Sequence, residues 1–218
     1  MSNLDYFLSA KGWRQILTKR NKVMEQILQN FLDESVSALR SYKSLAEKAI
    51  EQVSDDEFFR TIDEEANSIA AITKHIGGNL RSRWTQFLTT DGEKPDRNRD
   101  AEFVTGADTR ESLLKLWEDG FRILFESLES LKTEDLDKIV QIRGEDFTVV
   151  KALTRSMMHT ASHVGQITLL AKYFRGGDWQ TLSIPKNKSA EFNHFLTENE
   201  VRENYLEAAQ AFAEKDLK

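Results

Sequence analysis

Residues 89–107 read Thr-Thr-Asp-Gly-Glu-Lys-Pro-Asp-Arg-Asn-Arg-Asp-Ala-Glu-Phe-Val-Thr-Gly-Ala, and this polar, turn-rich stretch constrains the fold more than any other. Structureless connections of such length are uncommon inside compact domains. A helix of about 20 residues is about 30 Å long, and a loop of that many residues can stretch about twice as far. Such a loop can cross the whole length of a helical bundle, which lets the helices on either side run parallel. One crossover of this kind is a known four-helix-bundle variant.

The flanking sequence supplies the helices. Only two prolines, Pro95 and Pro185, interrupt the 218 residues, leaving long windows open to helix. From Ile27 the apolar positions Phe31, Leu39, Tyr42, Leu45, Ala49 and Val53 recur at helical spacing. Ser54-Asp55-Asp56-Glu57 reads as a turn and a new helix start. A second long helix is expected over about residues 64–88, with Ile69, Ile72, Ile76, Leu80 and Phe87 as its stripe. Asp108 or Thr109 caps a third, whose wide apolar face includes Leu113, Trp117, Phe121, Leu124 and Leu128. Residues 139–149 suggest a small hairpin, and the fourth helix runs over about residues 148–174 until Gly176-Gly177 stops it. The expected architecture is all-α: a bundle over residues 26–178, preceded by an arm or short helix over 1–25. Residues 179–218 are expected as an extended segment and a C-terminal helix packed on the bundle.

Charge and composition narrow the function. A net charge of −6 disfavours a nucleic-acid or anionic-membrane surface, and the absence of cysteine removes disulfides, thiolate ligands and a cysteine nucleophile. No apolar run approaches a membrane span, and no signal-peptide core opens the chain. A cytoplasmic protein is the resulting expectation.

Chemistry concentrates in three of the four histidines. His159 and His163 stand four apart in the fourth helix, so both imidazoles lie on one face. The spacing matches half of the zinc-protease motif, but Thr160 occupies the place of that motif's glutamate base. His75 lies on the shoulder of the second helix's stripe, in line with Ala71, Gly78 and Ser82. Three neutral imidazoles with an open position describe a catalytic zinc site, and nickel is an alternative. A satisfied core or surface histidine is the competing reading, and His194 is taken as a surface residue.

Asp and Glu are missing between Glu65 and Asp91 and again between Asp146 and Asp178, although 36 of 218 residues are acidic. Lys74, Arg81, Arg83, Lys151, Arg155, Lys172 and Arg175 remain in those gaps. The expectation is a cation held in a cavity without acidic walls, where it would lower the pKa of a bound water or thiol and attract an anion. The competing account is a chance gap with basic residues complementing helix ends. Gly77-Gly78-Asn79 lacks a phosphate-loop context. Ser156, Thr160 and Ser162 lie near the histidines, but no carboxylate nearby in sequence would orient a base. Gln166, three residues after His163, could bond a histidine or a ligand, or merely cap a polar gap. Asn79, Arg83 and Trp84 complete the candidates for contact with a substrate or for steadying a ligand, although residues like the last two, with Arg81, more often form a solvated rim.

The set His75, His159-x-x-x-His163 and Gly165-Gln166-Ile167 resembles the DinB/YfiT-like superfamily of metalloenzymes. The strings from Lys74 to Trp84, from Phe87 to Pro95 and from Trp179 to Pro185 are similar to one uncharacterised branch of it. The likeness spans about residues 30–193. It implies an up-down-down-up four-helix bundle, a zinc or nickel ion on His75, His159 and His163, and a homodimer. Relatives include thiol-dependent S-transferases and a thiol-dependent isomerase. The leading expectation is a metal-dependent enzyme acting on a small molecule with a low-molecular-weight thiol. A metal-dependent hydrolase, or a non-catalytic metal-stabilised dimerisation or sensor bundle, are the alternatives.

Overall fold

The computed structural model describes residues 10–199 and 205–216. Helix α1 spans Ala10–Glu51, α2 Asp55–Phe59, α3 Ile69–Trp84 and α4 Arg110–Ser130. A hairpin of β1, Ile139–Ile142, and β2, Glu145–Thr148, leads into α5, Val149–Arg175. Two short helices follow, α6 at Ser189–Glu198 and α7 at Tyr205–Asp216. The fold is an all-α bundle of α1, α3, α4 and α5. No described helix is long and apolar enough to cross a membrane.

Local chemistry sets the helix ends. The side chains of Ser54, Ser68, Thr109 and Thr148 each accept a hydrogen bond from a first-turn backbone N–H of α2, α3, α4 and α5 respectively. Gly176, at φ 53°, ends α5 in a conformation that a side chain resists. Helix α3 is shorter than its apolar pattern suggests. It starts at the Ser68 cap, and Thr85 ends it in extended backbone. The N-terminal part of α1 continues unbroken through residues 10–25, with Trp13, Ile16, Leu17, Val23 and Met24 about half exposed. Residues 1–9 lie outside the described residues.

Side-chain pairs fix the directions of the helices. Lys74 bonds Asp108 at the start of α3 and α4, and Ser127 Oγ donates to Trp84 O at their ends, so these helices run parallel. Arg40 pairs with Glu129, while Arg110 Nη2 donates to Ile50 O at 2.6 Å, which makes α1 antiparallel to α4. Trp84 Nε1 donates to Ser156 Oγ and His75 meets His159, so α5 runs against α3 and therefore with α1. The order is up-down-down-up, with the long connection between the second and third bundle helices.

That connection is not structureless. It runs back along α3. Ser82 Oγ donates to Gly92 O and accepts from Lys94 N–H near one end, and Lys74 Nζ donates to Val104 O near the other. A 3-10 turn, Asp100–Phe103, forms in between. The Asp91 carboxylate accepts backbone N–H groups of Glu93, Arg143 and Gly144, tying the crossover to the hairpin. Arg143 and Gly144, at φ 57° and 74°, make the tight two-residue turn.

Packing is closest between α3 and α4. A Cβ on Gly77 would lie 2.8 Å from Leu116 O, and one on Gly120 would lie 2.7 Å from Gly77 O. Backbone touches backbone there. Trp117, Phe121, Leu124, Ile76 and Leu80 are fully buried around the contact. The C-terminal residues form two helices rather than one, with a small apolar cluster of Phe192, Ala208, Ala209 and Phe212 between them. Gln210 Oε1 accepts from Lys48 Nζ, so α7 lies beside α1.

Candidate metal centre

Helix α3 presents His75 toward α5, where it is 3% exposed. One turn separates His159 from His163 on α5. The three rings converge, with centroids 5.1 Å apart for His75 and His159, 5.0 Å for His75 and His163, and 4.6 Å for His159 and His163. One nitrogen from each ring can be chosen so that all three lie within 4.8 Å of one another. His75 Nε2 and His159 Nε2 are 3.1 Å apart. For zinc–nitrogen bonds of about 2.0–2.1 Å, the edge of a tetrahedron is about 3.3–3.4 Å. The 3.1 Å separation of His75 and His159 comes within about 0.3 Å of that edge.

The outward nitrogens have acceptors. Glu102 Oε2 lies 2.8 Å from His75 Nδ1, and Gln166 Oε1 lies 2.8 Å from His163 Nδ1. Each oxygen accepts the Nδ1 proton, which leaves the Nε2 lone pair of that ring free to ligate. Burial, then the neighbouring His163 and His75, depress the His159 pKa to about 3. His163 is also shifted down by burial, partly offset by Gln166. Both rings of α5 are therefore neutral at neutral pH, as ligation requires. The residues present fit a divalent cation.

Glu102 corrects one expectation. The surroundings of the histidines were expected to be free of carboxylates, and on α3 and α5 they are, but the crossover inserts Glu102 against His75. Burial raises the Glu102 pKa, yet hydrogen bonds from His75 and Arg97 and the Arg97 charge outweigh it, and the net shift is downward. Arg97 grips both carboxylate oxygens, at 2.8 and 2.9 Å. A Cβ on Gly78 would lie 2.6 Å from Glu102 Oε1, so a glycine is required where the carboxylate approaches. Phe103, from the same turn, stacks on His75 at 4.7 Å. Glu102, Arg97 and Phe103 were not among the sequence candidates. The only signal pointing to them was the length of the loop that carries them.

The other candidates divide. Gln166 bonds His163. Asn79, Arg83 and Trp84 line a cavity of about 850 Å³ together with His75 and His159. Trp84 is buried, and its indole N–H occupies Ser156 Oγ. Thr160 is buried in the bundle, and Ser156 Oγ accepts from the Trp84 indole rather than from a histidine. His194 is exposed on α6 beside Glu198.

Residues 26–188 match the family described as "Protein of unknown function (DUF1572)", and the chain belongs to that family. No curated protein and no solved structure matches the chain.

Proposed function

We propose that this DUF1572 chain is a divalent-metal-dependent enzyme of the DinB/YfiT-like kind, with His75, His159 and His163 holding zinc or nickel. The convergence of three imidazoles on one point carries the proposal, with two of them turned ligand-side inward by Glu102 and Gln166. When bound, the ion would supply a Lewis-acid position that lowers the pKa of a thiol or water. The chain's own residues hold and shield that position. Glu102 fixes the His75 tautomer, Arg97 keeps Glu102 ionised, and Phe103 covers the His75 ring.

Thiol-dependent S-transfer is the reaction we favour. None of the residues lining the cavity is Asp or Glu, and Glu102 is already committed to His75 and Arg97. A free carboxylate base is thus missing among them. A thiol, with an ordinary pKa of about 8.5, depends on such a base far less than water does. Purified protein carrying its metal should show turnover that requires a low-molecular-weight thiol. A thiol-independent rate governed by one ionisation near neutral pH would replace S-transfer with hydrolysis. The resemblance also carries a homodimer, which light scattering would reveal as twice the 25.1 kDa chain mass.

A further inference from the structure

The cavity beside the histidines has a charge opposite to that of the chain. Net charge overall is −6, yet Arg83, Arg97, Arg99, Arg143, Lys151 and Arg155 all line the cavity. Like charges gathered around one concavity repel, and folding alone gives no reason to assemble them. Counter-charge is partial: Glu102 is bound by Arg97, and Glu93 is divided among three cations. Its Oε2 is shared by Arg83 at 3.1 Å, Arg97 at 3.1 Å and Arg143 at 3.2 Å. Lys151 and Arg155 lie over the Phe147 ring, at 4.4 and 6.0 Å, and neither forms an ion pair among the described residues. Arg83 keeps Nη1 buried without a hydrogen-bond partner among the described residues. Burial, offset in part by Glu93 and reinforced by Arg97, Arg143 and Arg155, pushes the Arg83 pKa down, as expected where positive charge crowds.

Part of the remaining wall is apolar, beside the polar Asn79, Gln141, Thr154, Ser156 and Ser162. Trp84 and Phe87 pack at 4.3 Å with their rings tilted by 36°, and Ile142 and Phe147 of the hairpin join them. A volume of about 850 Å³ suits a small organic molecule rather than an inorganic ion alone.

We propose that the cavity binds a small organic anion, with a carboxylate or phosphate headgroup on Arg83, Arg143 and Arg155 and an apolar body against Trp84, Phe87 and Phe147. As an assignment of the enzyme's substrate class it rests on the metal-dependent reading above; as a binding site it does not. The headgroup chemistry shared by the two anions is a planar or tetrahedral oxyanion that accepts guanidinium hydrogen bonds.

Calorimetric titration of the full-length, metal-loaded protein with benzoate, phenyl phosphate and neutral benzamide tests this. Both anions should bind more tightly than benzamide, and the stronger of the two identifies the headgroup class. Arg143→Gln and Arg155→Gln alter exposed side chains and should leave the fold intact by circular dichroism. Each should weaken anion binding on the order of ten- to a hundredfold while leaving benzamide unchanged. Equal binding of benzamide, unchanged anion affinity in both variants, or no anion binding would overturn the proposal. The same titration on metal-free His159→Ala separates the two readings. Anion binding that persists there, in a protein whose wild type holds no metal, would sink the metal enzyme and leave the anion site standing. A metal-loaded wild type that ignores anions would do the reverse.

Discussion

The two sides of α3 solve different problems with neighbouring glycines. Toward α4, Gly77 brings backbone against backbone, and the surroundings are buried and apolar. Toward the crossover, Gly78 makes room for a carboxylate, and the surroundings are ionic, with His75, Glu102 and Arg97 in a chain of hydrogen bonds. One side gives the bundle its stability through burial; the other gives a site its geometry through polar contacts. Damage to each should appear in different observables.

The largest effect on stability belongs to the α4 side. Phe121→Ala should cost about 3–5 kcal/mol in chemical denaturation, with metal content unchanged in whatever protein remains folded. Gly120→Ala forces a methyl toward the Gly77 carbonyl and should cost about 1–3 kcal/mol, again without altering metal affinity. If either change lowered metal affinity at unchanged stability, the division between the two sides would fail.

On the crossover side the ranking reverses. Glu102→Gln keeps the shape but removes the charge that holds the His75 tautomer, so metal affinity should fall about 10–100-fold in competition with a chelator. The metal-free protein should lose stability as well, because buried Arg97 keeps only Glu93 as a charged partner, so affinity is compared among folded molecules. Gly78→Ala should weaken metal binding in the same direction, because its methyl displaces a pinned carboxylate. A normal affinity in both variants would show that Glu102 is only a structural ion-pair partner.

The smallest effect concerns Asp91. Burial raises its pKa, but the backbone N–H groups of Glu93, Gly144 and Arg143 outweigh this and hold it below the ordinary carboxylate range. A carboxylate depressed on folding stabilises at pH above its unfolded pKa, and that contribution is lost as pH falls through the lower folded value. Stability should therefore decline more steeply below about pH 4 in the wild type than in Asp91→Asn, by urea midpoints measured across that range. Parallel curves would remove Asp91 as the latch between crossover and hairpin.

The sequence made some of this legible and hid the rest for physical reasons. The histidines could be placed because helical periodicity fixes which residues share a face, and His159 and His163 obey it. The parallel run of α3 and α4 was readable because a loop of that length can cross a bundle. Glu102 was not readable. It approaches His75 across 27 residues of sequence, from a polar segment without periodicity. The carboxylate gap therefore misled: it describes the helices correctly and says nothing of a side chain delivered by the loop. Gly77-Gly78 was read as lacking a phosphate-loop context, with Gly78 in line with His75; only tertiary contacts reveal that the two glycines face different neighbours. Within residues 179–218, where one C-terminal helix was expected, the structure has two, Ser189–Glu198 with Asn199 as its C-cap and Tyr205–Asp216.

Metal analysis of the purified full-length chain, paired with His159→Ala, tests the central claim most directly. The account predicts about one divalent ion per wild-type chain, in a nitrogen-rich coordination shell by X-ray absorption, and its loss from a His159→Ala protein that remains folded. A wild type that binds no divalent ion, or a His159→Ala protein that keeps one with the same affinity, would contradict it.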